Sequence, residues 1–382
     1  MPDSPVQDVA MVEGDGAPEP GMALCLSGGG YRAMVFHVGV LWRLHDSGLL
    51  TGVKRISSVS GGSITAAVLA LKWAQLFGGN AAPDFFVNHV VAPVRGLASK
   101  TIDEKAIGLG IFLPGSIGDR IAAAYDEHLF GGATLQDFPG EPRFVINATN
   151  VQSGALWRFS KPYMWDYRVG KVENPTVPVS QAVAASSAFP PVLSPFQMRL
   201  DPNKFTSNSG DDLQQEPYTS NAVLTDGGVY DNLGLETAWK RYDTILVSDG
   251  GGKMQPQGEP DTDWARHSYR VLDLIDNQVR SLRKRQVIGS FTAKPADANF
   301  RKGAYWGIRT DIAKYGVEKP LPCPHERTIK LAELPTRLKR LPDDVQERLI
   351  NWGYAVCDAA IRKYVDPQIA RPQGFPYPAA GV

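Results

Sequence analysis

The chain has 382 residues, 43% hydrophobic and 21% charged, and its 40 basic residues balance 40 acidic ones. That length can bury a sizeable core in one large domain or two ordinary ones, while a net charge of zero supplies no overall field toward nucleic acid. Three cysteines, Cys25, Cys323 and Cys357, are too few and too widely spaced for a disulfide framework or a zinc site, which fits a reducing compartment.

In chain order, the opening MPDSPVQDVAMVEGDGAPEPGM has acidic residues, no Lys or Arg and no apolar h-region. It reads as a disordered leader over residues 1–20, not as a secretory signal. No run approaches the roughly 18 uninterrupted apolar residues that cross a bilayer, so the expected address is cytoplasmic and any membrane contact peripheral. MALCL, SGGG and YRAMVFHVGVLWRLHDSG then read as strand, glycine turn and helix, with Gly48 as a stop. The unit repeats at once, GVKRISSVSGG leading into the alanine-rich SITAAVLALKWAQL. Two such units predict a parallel sheet covered by helices.

Residues 106–118, AIGLGIFLPGSIG, are apolar and glycine-rich, as a lid or acyl-contacting loop is, although a buried connection has the same composition. RFVINATN and ALWRFS look like paired strands, VSQAVAASSAF like a small-residue helix, NAVLTDGGVYDN like a strand entering a glycine turn, and DTILVSDGGGK like another. After the polar linker QPQGEPDTD, Val271, Ile275, Val279 and Leu282 line one side of a long helix, with Arg280, Arg283, Lys284 and Arg285 at its end. Basic residues there oppose the helix dipole, so a solvated helix end is expected, with a lipid-headgroup patch as the alternative. The last helix places Val345, Leu349, Trp352, Val356 and Ala360 three to four residues apart and packs back on the core.

Three glycine turns carry candidate chemistry. A nucleophile elbow of the form G-x-S-x-G holds its serine on a strained turn. Here Ser58-Val59-Ser60-Gly61-Gly62 matches except for a serine at the first position; the same letters also fill ordinary loops. Gly28, Gly29 and Gly30, followed by Arg32, lie between a strand and a helix, where backbone amides form an anion site. A dinucleotide fold wants an acid near the end of the second strand, where ISSVSGG stands, and a phosphate-binding P-loop wants Gly-Lys-Ser/Thr, which does not follow. Asp226, before Gly227 and Gly228, and its rival Asp249 both sit at strand ends. A serine nucleophile needs a base. His267 and His325 alone follow both aspartates but lie outside the glycine turns, so a carboxylate base, needing only hydrogen-bond reach, points to a two-residue catalyst.

Together GGGYRA, SVSGG and DGG resemble the patatin-like phospholipase family in order and spacing, and AASSAFPPVLSPF is similar to the family's segment before the aspartate. The resemblance covers roughly residues 22–252. It implies a three-layer α/β fold with a mostly parallel central sheet, a catalytic domain over 21–254 and a helical extension over 255–382 on the same domain. It further implies a lipid acyl hydrolase with Ser60 as nucleophile, Asp226 as sole general base, Gly28, Gly29 and Gly30 as oxyanion hole, and Arg32 supporting the loop or facing a phosphate. Gly61, Gly62, Gly227 and Gly228 shape the turns, Ala33 and Ser58 depart from the family pattern, and no metal or cofactor enters. The expected partner is a lipid, reached by transient membrane contact, with no nucleic acid. A Ser-His-Asp esterase of small esters and a non-catalytic phosphate- or lipid-binding module are the competing readings.

Overall fold

The computed structural model describes residues 18–103 and 116–382. Ten strands build one sheet: β1 (Glu19–Leu26), β2 (Val53–Val59), β3 (Arg143–Asn150), β4 (Leu156–Phe159), β5 (Tyr163–Asp166), β6 (Gly170–Glu173), β7 (Phe196–Arg199), β8 (Asn221–Asp226), β9 (Tyr242–Asp249) and β10 (Lys302–Gly307). Their order is β10-β9-β1-β2-β3-β4-β5-β6, with β8 also beside β3 and β7 beside β8. The four pairings from β10 to β3 are parallel. The other five are antiparallel, so the sheet is mixed where a mostly parallel one was expected. Short links cause the difference: Leu156–Phe159 follows β3 too closely for a crossover helix and folds back as a hairpin.

Strand β1 is buried on both faces, which is why it reads as a continuous apolar run. Leu24 and Leu26 enter the large core, while Ala23 and Cys25 face a smaller cluster with Leu233, Leu235, Ala238 and Val287. Five helices matter below: α1 (Gly30–Asp46), α2 (Gly61–Phe77), α3 (Val179–Ser186), α4 (Trp264–Thr292) and α5 (Asp343–Tyr364). The main contact between helices is α1 against α5, whose backbones nearly touch. A Cβ on Gly39 would lie 1.9 Å from the Ile350 carbonyl oxygen, and one on Gly353 would lie 2.0 Å from that of Phe36. Beside this crossing Arg43 and Asp358 form a buried ion pair at 2.8 Å.

Three local expectations change. Glu19 and Pro20, read as leader, already belong to β1. Of the lid candidate, residues 106–115 lie outside the described residues, while Ser116 caps a helix over Ile117–Tyr125 that takes in Ile117 and Gly118. Helix α4 continues to Thr292, so Arg280, Arg283, Lys284 and Arg285 stand inside it and not at its end. Arg283 pairs with Glu236 at 2.9 Å, and Lys284 lies 4.6 Å over the Tyr305 ring.

Candidate active site

Ser60 occupies the junction of β2 and α2 with φ 51° and ψ −121°, a conformation costly for any residue with a Cβ. The surroundings hold it there. Its amide donates to Ser186 Oγ at 2.9 Å, and Ser186 in turn donates to the Asn147 carbonyl at 2.7 Å. Its own carbonyl accepts from the amides of Ser63 and Ile64, starting α2. The following glycines allow a close crossing with the β1–α1 turn: a Cβ on Gly61 would sit 2.2 Å from the Gly30 carbonyl oxygen, and one on Gly62 2.5 Å from that of Leu26. The departure at Ser58 is accommodated, its hydroxyl donating to the Val145 carbonyl at 3.3 Å and accepting from Ser63 at 3.1 Å.

Strand register explains how a distant aspartate reaches this serine. Strand β3 pairs with β4 along one edge; on the opposite edge β2 pairs as far as Val59↔Asn147. The very next residue, Ala148, pairs with Asp226 of the antiparallel β8. The carboxyl ends of β2 and β8 therefore meet head-on against consecutive residues of β3. Gly227 makes this possible, because a Cβ there would lie 2.3 Å from the Asn147 carbonyl oxygen. Ser60 and Asp226 line the same cavity. Asp226 Oδ1 accepts from the Gly228 amide at 2.7 Å, and its backbone carbonyl accepts from Thr149 Oγ1 at 2.9 Å.

Burial pushes the Asp226 carboxyl from its ordinary value near 3.8 up to about 7; the Gly228 amide and the Ser60 hydroxyl oppose the rise, and Asp276 adds to it. Among the described residues no histidine lines either cavity that contains Ser60. His37 is fully buried between Ser248 Oγ and the Ser27 carbonyl, both at 2.9 Å, and burial lowers its pKa to about 4. His267 and His325 are exposed and line neither cavity that contains Ser60. Asp249 is held by Tyr305 Oη at 2.7 Å and the Gly251 amide at 2.9 Å, in a neighbouring cavity without Ser60.

The glycine loop divides by hydrogen bonding. Gly28, expected to donate to an oxyanion, already donates its N–H to the Asn232 carbonyl at 3.1 Å. Among the described residues nothing accepts from the amides of Gly29 and Gly30, whose φ values of 141° and 60° only glycine adopts readily. Gly29 lines the larger cavity beside Ser60 and Gly30 the adjoining one. Arg32 does not face the cleft. It is 2% exposed and donates to the Gly250 carbonyl at 3.1 Å, to Thr336 Oγ1 at 3.0 Å and to the Leu334 carbonyl.

Ser60 stands where two cavities meet. The one of about 470 Å³ also holds Asp226 and is charged, with Lys253, Arg270, Arg280 and Arg337 facing Asp273 and Asp276. The other, about 370 Å³, is walled by Phe189, Pro190, Pro191, Val192, Leu193 and Leu338. Sequence patterns gave no sign of Ser186, Asn232, Asp276 or Arg337 at this site; only the AASSAF string, singled out without a role, pointed near it. Among the described residues no three His, Cys, Asp or Glu side chains gather as a metal would require.

No curated protein matches the chain in sequence. Among solved structures, human GIVD cytosolic phospholipase A2 is 13% identical over 90% of this chain and 60% of its own, with a TM-score of 0.52. VipD from Legionella pneumophila is 14% identical over 88% and 66%, with a TM-score of 0.35. The chain thus shares the fold of the human protein and spans about 60% of its length. The family profile described as Patatin-like phospholipase matches residues 24–239, from β1 past the turn after Asp226. With more than half its length matched and all three glycine turns inside the match, the chain belongs to the patatin-like phospholipase family.

Proposed function

We propose that this protein is a lipid acyl hydrolase of phospholipase A type that works through a Ser60–Asp226 dyad. The observation that supports the proposal is the meeting of β2 and β8 on β3, which brings the strained Ser60 and the buried Asp226 to one cavity. Asp226 accepts the hydroxyl proton as Ser60 Oγ attacks the ester carbonyl, and returns it to the departing alkoxide when the tetrahedral adduct collapses to acyl-enzyme. Water then gives a proton to Asp226 while attacking the acyl carbon, and Ser60 recovers that proton as the fatty acid leaves. The amides of Gly29 and Gly30 stabilise the oxyanion in both halves.

The two cavities suit the two ends of an amphiphile. Phe189, Pro190, Pro191, Val192, Leu193 and Leu338 offer apolar contact for an acyl chain, and Lys253, Arg270, Arg280 and Arg337 offer charge for an anionic headgroup. Both histidines that a triad could recruit are exposed and outside these cavities, which favours the dyad. We predict that folded Ser60→Ala loses hydrolysis of both a soluble short-chain ester and a micellar phospholipid, with an unchanged circular-dichroism spectrum. Full hydrolysis by that variant overturns the reading.

A further inference from the structure

Helix α4 is amphipathic in the wrong sense for a soluble helix. Of its 29 residues only Val287 and Ser290 are buried. Among the described residues thirteen large hydrophobic side chains are exposed, and eight of them belong to this one helix. Trp264 is 84% exposed, Ile275 53% and Leu282 57%, with Val271 at 39% between them. Spaced seven, four and seven residues apart, these four recur within about 40° of the helix circumference and form a stripe about 27 Å long. The opposite face, carrying Tyr269, Asp273, Asp276 and Arg280, lines the catalytic cavity. The polar side thus turns toward the protein and the apolar side toward solvent, which is unfavourable unless something else covers it.

We propose that this stripe docks the enzyme onto a lipid surface, with α4 lying in the plane of the headgroups at the mouth of the cleft. Polarity selects that occupant: on the stripe's half of the α4 circumference Arg285 is the one Lys, Arg, Asp or Glu, the other charged residues lying on the half that carries the cavity lining. Trp264, at the tip and barely covered by protein, suits the headgroup boundary, where an amphipathic ring leaves its N–H hydrated. Placement selects it too. A substrate leaving a bilayer beside α4 meets the cavity on the helix's other side without crossing water. The proposal deepens the acyl hydrolase reading by naming the surface from which substrate is taken, and it rests on that reading for its purpose but not for its geometry.

The test uses the full chain, the double variant Ile275→Asp/Leu282→Asp, and vesicles of phosphatidylcholine with or without phosphatidylglycerol. Wild type should sediment with the vesicles. The double variant should lose at least about tenfold in vesicle affinity and in vesicle hydrolysis while keeping its rate on a soluble short-chain ester. Trp264 emission, isolated by comparison with Trp264→Phe, should shift to the blue on vesicle addition. Wild type that stays in the supernatant, or a double variant that binds as wild type, overturns the proposal. So does a dimer by light scattering that the double variant converts to monomer with vesicle binding unchanged, which would assign the stripe to a second copy of the chain. If the soluble ester is not cleaved by wild type while vesicle binding and its loss hold, the hydrolase reading falls and the docking surface stands.

Discussion

Asp226 has two demands on it. As the base we propose, it must be ionised, yet it is almost fully buried, and burial raises its pKa to about 7 at a cost in stability. Its folded pKa lies above its unfolded value, so the folded state binds the proton more tightly and wild-type stability falls as pH rises from about 4 through about 7. Asp226→Asn removes that loss. Thermal melts should show the variant more stable on the order of a few kcal/mol at pH 8, with the difference vanishing toward pH 4. Activity moves the other way: kcat/KM of wild type on a soluble ester should drop about tenfold per pH unit below about 7. A flat profile from pH 5 to 8 would remove Asp226 from the base role. At this scale the sequence was readable for the placement of Ser60 and Asp226 at strand ends beside glycines, which the structure shows. It was not readable for Gly28, whose amide is taken by Asn232, nor for Arg32, whose acceptors Gly250, Leu334 and Thr336 lie far along the chain.

Elements meet here by close backbone approach, and glycine marks the places. Gly39 faces the α5 backbone itself, which cannot move aside as a side chain would. Gly39→Ala should therefore cost about 3 kcal/mol or more despite alanine's better helix propensity, read as a lowered urea midpoint. No loss of stability would mean that α1 and α5 are farther apart than described. The helices and most strands were legible from their patterns, since β1 ends in an apolar run and both β1 and β2 are closed by glycine turns. The direction of β8 was not, because antiparallel and parallel neighbours of β3 bury the same side chains. The stripe on α4 illustrates the same limit: its period announced a helix, but which side meets the protein depends on tertiary placement, and the apolar side turned outward.

For the molecule as a whole, strand pairing and core packing join residues beyond 254 to those before it. Strand β10 pairs with β9 in parallel, Trp306 and Trp352 are fully buried, and Trp352 Nε1 donates to the Ile308 carbonyl at 2.8 Å. The Leu334–Arg337 stretch closes over the glycine loop, the Arg337 carbonyl accepting from the Tyr31 amide at 3.0 Å. We propose a single cooperative unit. A chain ending at residue 254 should fail to give a cooperative melt or ester hydrolysis, and an active, cooperatively melting fragment would show the extension to be separable. Composition indicated this only loosely, since a polar linker followed by long helices describes an appended module equally well.

The central claim is that a serine and an aspartate suffice, without histidine. Its most direct measurement is the rate of labelling by a fluorophosphonate, with the adduct mapped by peptide mass spectrometry in wild type, Ser60→Ala, Asp226→Asn and the His267→Ala/His325→Ala double variant. The account predicts one adduct, on Ser60, absent in Ser60→Ala, slowed by at least about a hundredfold in Asp226→Asn and unchanged without the two histidines. Labelling that survives in Asp226→Asn at the wild-type rate, or that disappears with the histidines, contradicts it.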